Sequence, residues 1–134
     1  MRNPLLVLAL TLPIAACGPP RLSTPLPDIA RLGSIEQVMD NQATAADPQF
    51  KKIGAESYSD ADYAAFSEVS ERIQATSTKL KDFSKGPDFD ALAQRLNEKA
   101  KALGTAAAAK DKASASAALG EMKATCKECH SKFR

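Results

Sequence analysis

Apolar residues recur along this chain at intervals of three and four, the period of one helix face, with no strand-like alternation and no internal repeat. The first such run is Ile29, Leu32, Ile35 (or Glu36) and Met39. It predicts a short helix starting at Pro27-Asp28 and stopping between residues 42 and 48, because Pro48 disfavours helix at the residue before it. A connecting loop over 49–57 contains Gly54. The second run is Phe66, Val69, Ile73, Thr76 or Ser77, Leu80 and Phe83. Ser59 is its expected cap, Asp60 and Asp62 lie in its first turn, and Gly86-Pro87 ends it. A third helix is expected from about 88 to 108, with Phe89, Leu92, Leu96, Ala100 and Leu103 inward and Arg95 and Lys99 outward. Asp111 should cap a fourth, whose stripe is Ala115, Leu119, Met122, Cys126, Cys129 and Phe133.

Four amphipathic helices with short connections predict an all-α fold, an antiparallel four-helix bundle over residues 28–134. Aromatic residues make up only 5% of the chain, Trp is absent and alanine is abundant. Such helices approach closely and leave room for something else to fill volume. A formal net charge of +2 gives no reason to expect a nucleic-acid partner.

The N-terminus departs from the helical pattern. Arg2 is followed by an apolar run from Leu5 to Ala16, shorter than the roughly 20 residues that span a bilayer, and so reads as an export signal over 1–16. It ends in Ile14-Ala15-Ala16-Cys17, which resembles a bacterial lipobox; that resemblance implies cleavage before Cys17 and a lipid on its sulfur. Ordinary cleavage would leave Cys17 a lone thiol in an oxidising compartment, a liability that lipidation removes. Acyl chains would tether the protein by burying about 0.8 kcal/mol per methylene. Residues 17–27 then form a lipidated cysteine and a proline-rich spacer, with Pro19, Pro20, Pro25 and Pro27 favouring an extended path of about 3.1 Å per residue.

The candidate chemistry lies at the other end. Cys126, Cys129 and His130 form a C-x-x-C-H run, the pattern of c-type haem attachment. Two thiols three residues apart can add across the two vinyl groups of one haem, and the next residue's imidazole is then held within reach of the iron. A zinc site would need two further ligands, yet His130 is the one histidine and Cys17 the one other cysteine. A thioredoxin-like dithiol would follow a strand in a βαβ pattern, which this chain lacks. The three residues share the inward stripe of the fourth helix, so one covalently attached haem c is expected on the inner face of the bundle's last helix.

With that placement, the stretch from Ala117-Ala118-Leu119-Gly120 through Cys126-Lys127-Glu128-Cys129-His130-Ser131-Lys132-Phe133-Arg134 resembles the class II cytochromes c, the cytochrome c′ group with its low-spin relatives. The architectural likeness covers residues 28–134 and the sequence likeness about the last eighteen. In this family a residue of the first helix covers the iron's far face. A methionine there makes a six-coordinate electron carrier, and an apolar residue leaves the iron open to small gases. Met39 and Ile35, four apart, both compete for that position. The family often carries an arginine one turn earlier, near a haem propionate; Arg31 precedes Ile35 by four and so favours Ile35. Against it, Met39 is the methionine of that helix, and a thioether is a good haem ligand that raises the potential. Arg134 is a second expected neighbour of the propionates or of His130.

The resemblance thus implies His130 as proximal iron ligand and Met39 as distal ligand in a membrane-tethered electron carrier of the bacterial envelope. Its partners would be redox proteins, and a homodimer through the first two helices is common in the family. A gas-binding protein with Ile35 over the iron is the alternative. A peroxidase-like enzyme lacks a second histidine or evident distal acid–base pair, so no catalytic residues are assigned.

Overall fold

The computed structural model describes residues 23–134. The export signal over 1–16, Cys17 and the first part of the spacer lie outside the described residues. Among those described, helices α1 (Ile35–Phe50), α2 (Asp60–Lys79), α3 (Pro87–Ala108) and α4 (Lys112–Phe133) are joined by short connections, and there is no strand.

Side-chain caps explain several of these boundaries. Ser59 accepts from the backbone N–H of Asp62, and the Asp62 carboxylate accepts in return from the backbone N–H of Ser59, closing a capping box at α2. Asp111 accepts from Ser114 N–H at the start of α4. At α3, Pro87 occupies the first turn, where its missing donor costs nothing, and Gly86 supplies a φ of 110° just before it.

The first helix differs from the expectation at both ends. The segment from Leu26 to Arg31 is a 3-10 turn, and α1 begins only at Ile35, where Ser34 accepts from Gln37 N–H. Pro27-Asp28 therefore starts the turn instead of the helix. Ile29 and Leu32 are still buried, which preserved a helical rhythm across a break at Gly33-Ser34. At its other end α1 passes through Pro48 to Phe50. In the last turn proline removes a single hydrogen bond from a helix about to end anyway, so the preceding-residue bias was overridden. The second helix shortens slightly: α2 proper stops at Lys79, and Leu80–Phe83 continue as a 3-10 turn.

Antiparallel order follows from contacts at the two ends of the bundle. At one end, Tyr63 near the start of α2 donates its hydroxyl to Lys110 O after α3, and Gly54 N–H donates to Ser116 Oγ of α4. At the other, Lys85 before α3 donates to Phe133 O at the end of α4, and Phe89 and Phe133 meet edge to face at 5.4 Å. The core follows the apolar stripes. Phe66, Ile73, Leu103, Leu119 and Met122 are buried in one cluster, and Ile29, Val38, Leu80 and Phe89 in a second. Each such side chain contributes about 1.5–3 kcal/mol on burial.

Helices α2 and α3 pack most extensively, followed by α3 and α4, whereas α1 meets α4 only sparsely. Buried and partly buried polar groups fix the first of these pairs. Ser70 donates to Ala100 O at 2.7 Å, and Asn97 donates to Gln74 O at 2.9 Å and to Ser77 Oγ at 3.0 Å. Two ion pairs run along the α3–α4 seam, Arg95–Glu128 at 2.6 Å and Lys99–Glu121 at 2.9 Å.

Candidate functional site

The thin α1–α4 contact sets where a site can form. A narrow cleft there is lined by Met39 and Gln42 of α1, Leu80, then Leu92, Ala93 and Leu96 of α3, and Thr125, Cys126, Cys129 and His130 of α4, with a cavity volume of only about 20 Å³ between the side chains. Its walls are mostly apolar and contributed by all sides of the bundle. It lies toward the end where α1 and α3 begin and α4 finishes.

Both thiols are half-buried and unpaired with one another. Burial pushes the Cys126 thiol up to about 11, with Cys129 and Asp47 adding smaller electrostatic contributions in the same direction. Cys129 is also raised, mainly by burial, although Lys85 opposes the shift. These thiols are thus held protonated at neutral pH, and conversion to thioethers would remove the cost of ever charging them. His130 was expected to point into the interior; it is instead an exposed residue at the cleft's rim, reaching the lining beside the two cysteines. Its pKa is lowered by desolvation and then by Arg134, which favours the neutral imidazole that binds metals. Glu128, between the thiols, joins α4 to α3 through Arg95 and also pairs with Lys132 at 3.1 Å. Glu128 therefore anchors the turn that carries the cysteines.

The expected distal residues separate. Met39 is partly buried and lines the cleft; Ile35, also partly buried, packs one turn nearer the helix start beside the cluster of Ile29, Leu80 and Phe89. Arg31 belongs to the 3-10 turn, is exposed and pairs with Asp28 at 3.0 Å. Because the helix breaks between them, Arg31 does not stand one helical turn before Ile35. Arg134 is exposed and close enough to act on His130 electrostatically.

Sequence reasoning did not find Gln42. It is 7% exposed, it lines the cleft, and its amide Nε2 is buried without a hydrogen-bond partner. The available signal was its position, three after Met39 and seven after Ile35, where a polar residue interrupts an inward stripe.

Paired thiols, an imidazole at the rim, apolar walls and an amide awaiting a partner fit a flat, largely apolar, iron-bearing group. Among the described residues no three His, Cys, Asp or Glu side chains cluster to hold a bare metal ion. Bundle and site together define the class of c-type haem proteins, and Cys126, Cys129 and His130 are the residues that could hold such a group.

Comparison with known proteins agrees. The sequence profile of the cytochrome c′ family matches residues 30–134. A curated relative, cytochrome c′ of Pararhodospirillum photometricum, is 42% identical over 71 residues, which is 53% of this chain and 57% of that protein. The chain is thus aligned to little more than half of that relative's length. No solved structure matches. The chain belongs to the cytochrome c′ family, whose members carry a single covalently attached haem c and work outside the bacterial cytoplasm.

Proposed function

We propose that this protein is an electron-transfer cytochrome of the bacterial envelope, with His130 and Met39 as axial ligands of its haem iron. The observation that carries the reading is the place of Met39, on the wall of the cleft that Cys126, Cys129 and His130 also line. The haem, when bound, supplies a one-electron couple. The chain's own contribution is to hold it by two thioethers, surround it with Leu80, Leu92, Ala93 and Leu96, and keep water from its faces. A thioether ligand raises the potential, and the apolar walls disfavour the more highly charged oxidised iron. Cys17 would carry lipid and tether the bundle to the membrane; among the described residues no helix is long and apolar enough to cross one. Redox proteins of the envelope are the partners this reading requires, and no turnover of a substrate is part of it.

The alternative is a gas-binding protein with five-coordinate iron, Ile35 covering the distal face. It is favoured by the relative's name, cytochrome c′, and by the partial burial of Ile35.

Visible spectra of the holoprotein separate the two. Electron transfer through Met39 predicts a low-spin spectrum with a methionine–iron charge-transfer band and no response to carbon monoxide. Met39→Ala then yields a high-spin, carbon monoxide-responsive protein. A wild-type spectrum already high-spin and gas-responsive would replace this reading with the alternative.

A further inference from the structure

Gln42 is the one lining residue of the cleft that carries a buried, unpartnered hydrogen-bond donor. Leaving an amide N–H buried and unsatisfied costs on the order of 1–3 kcal/mol, so such a group calls for a partner. Its neighbours on α1 do not supply one. Asn41, the adjacent buried amide, is fully engaged, accepting from Thr24 N–H at 2.7 Å and from Arg72 at 3.2 Å while donating to Gln37 O at 2.9 Å. The two consecutive amides therefore do different things: Asn41 ties α1 to α2 and to the incoming chain, and Gln42 faces the cleft.

The other walls narrow the choice of partner. Leu80, Leu92, Ala93, Leu96 and the two thiols offer no strong acceptor, and neither the Thr125 hydroxyl, which donates to Glu121 O at 2.8 Å, nor His130 accepts a hydrogen bond from the Gln42 amide. A haem's carboxylates belong at a solvent-facing edge. Gln42 instead lies about one turn further into the bundle than Met39, since a helix rises about 1.5 Å per residue away from its start. A ligand on the α1 side of a haem iron would be a partner of the required kind.

We propose that Gln42 is a ligand-discriminating residue of the haem cleft. Its side-chain N–H donates to a small molecule or anion on the α1 side of the iron, favouring ligands with a strongly accepting end, such as cyanide or azide, over carbon monoxide. This inference rests on haem occupying the cleft; where Met39 ligates the iron, it applies to the protein with Met39 displaced. A donor of fixed position stabilises a ligand in proportion to the negative charge the ligand presents. An apolar cleft would discriminate by size alone.

The test uses holoprotein in the Met39→Ala background, so that the sixth position is open under either functional reading. Gln42→Leu, of similar volume, removes the donor. Cyanide binding to ferric protein should weaken about tenfold, the worth of one good hydrogen bond, while carbon monoxide binding to ferrous protein changes by less than about twofold. Equal changes for both ligands, or none for cyanide, would overturn the proposal. A second measurement reads the hydrogen bond directly: the iron–ligand vibration of the cyanide complex, by resonance Raman in H2O and D2O. A shift in D2O that persists in Gln42→Leu, or no shift in the protein with Gln42, also overturns it. Loss of the haem spectrum itself would fail the site and not the role of Gln42, so the two failures are distinct.

Discussion

A β-carbon added at Gly104 would lie 2.5 Å from the Ser70 hydroxyl oxygen and 3.2 Å from Ser70 Cβ. That hydroxyl is buried and already donates to Ala100 O, so it has nowhere easy to turn. Gly104 is therefore where α3 presses against α2, and Gly104→Ala should destabilise the protein by about 1–3 kcal/mol despite its better helix propensity. Gly120 is the control. A β-carbon there meets nothing within 4 Å, so Gly120→Ala should stabilise by about 0.5–1 kcal/mol. Denaturant unfolding of the two variants beside the parent checks both signs; two stabilised variants would mean that the α2–α3 contact yields freely. At this scale the motif was legible and its supports were not. Cys126, Cys129 and His130 announce themselves by spacing, but Glu128 and Gln42 belong to residue types common on any surface. Only the fold shows that one holds α4 to α3 and the other is buried in the cleft.

Helix boundaries follow local chemistry where a side chain can reach the backbone. Ser59 with Asp62, and Asp111 with Ser114, could be read directly because a cap needs only its own three following residues. The start of α1 could not, since Ile29 and Leu32 keep the helical interval while belonging to a separate turn. Its end was misread because proline's effect depends on how much helix remains beyond it. The capping box at α2 also has a pH signature. Lys52 first, then the backbone N–H and hydroxyl of Ser59, hold the Asp62 carboxyl down at about 2 against an ordinary 3.8. A depressed carboxyl contributes stability in full above its unfolded value and loses it as pH falls through its folded one. Asp62→Asn should thus be less stable than the parent at pH 6, with the gap narrowing between about pH 4 and pH 2. Thermal melts across that window test it; a gap of constant size would mean that the charge of Asp62 is not what matters.

Across the whole molecule, the helices are not equally committed to one another. Helices α2 and α3 are joined by buried apolar residues and by hydrogen bonds through Ser70 and Asn97, whereas α1 faces α4 across the cleft. The haem would supply contacts that α1 lacks in the bare polypeptide. Removing it by the double substitution Cys126→Ala, Cys129→Ala should therefore loosen α1 first. Hydrogen exchange is expected to show α1 amides losing protection while α2 and α3 amides retain theirs. Uniform loss would mean that the bundle unfolds as one unit. The four-helix plan and the inward face of α4 were readable because each needs only a repeating interval. The unequal packing was not, because it depends on which stripe meets which.

The candidate attachment residues, Cys126 and Cys129, sit on the last of the four α-helices among the described residues. A ribosome delivers a chain from its first residue onward, and an export channel threads it in the same order. The tightly matched pair α2 and α3 is thus available to fold before the anchoring thiols emerge. Prosthetic-group loading is, by this ordering, a finishing step in biogenesis. A polypeptide cut short before α4 would remain colourless, so colour itself certifies that synthesis ran through the last helix of the bundle.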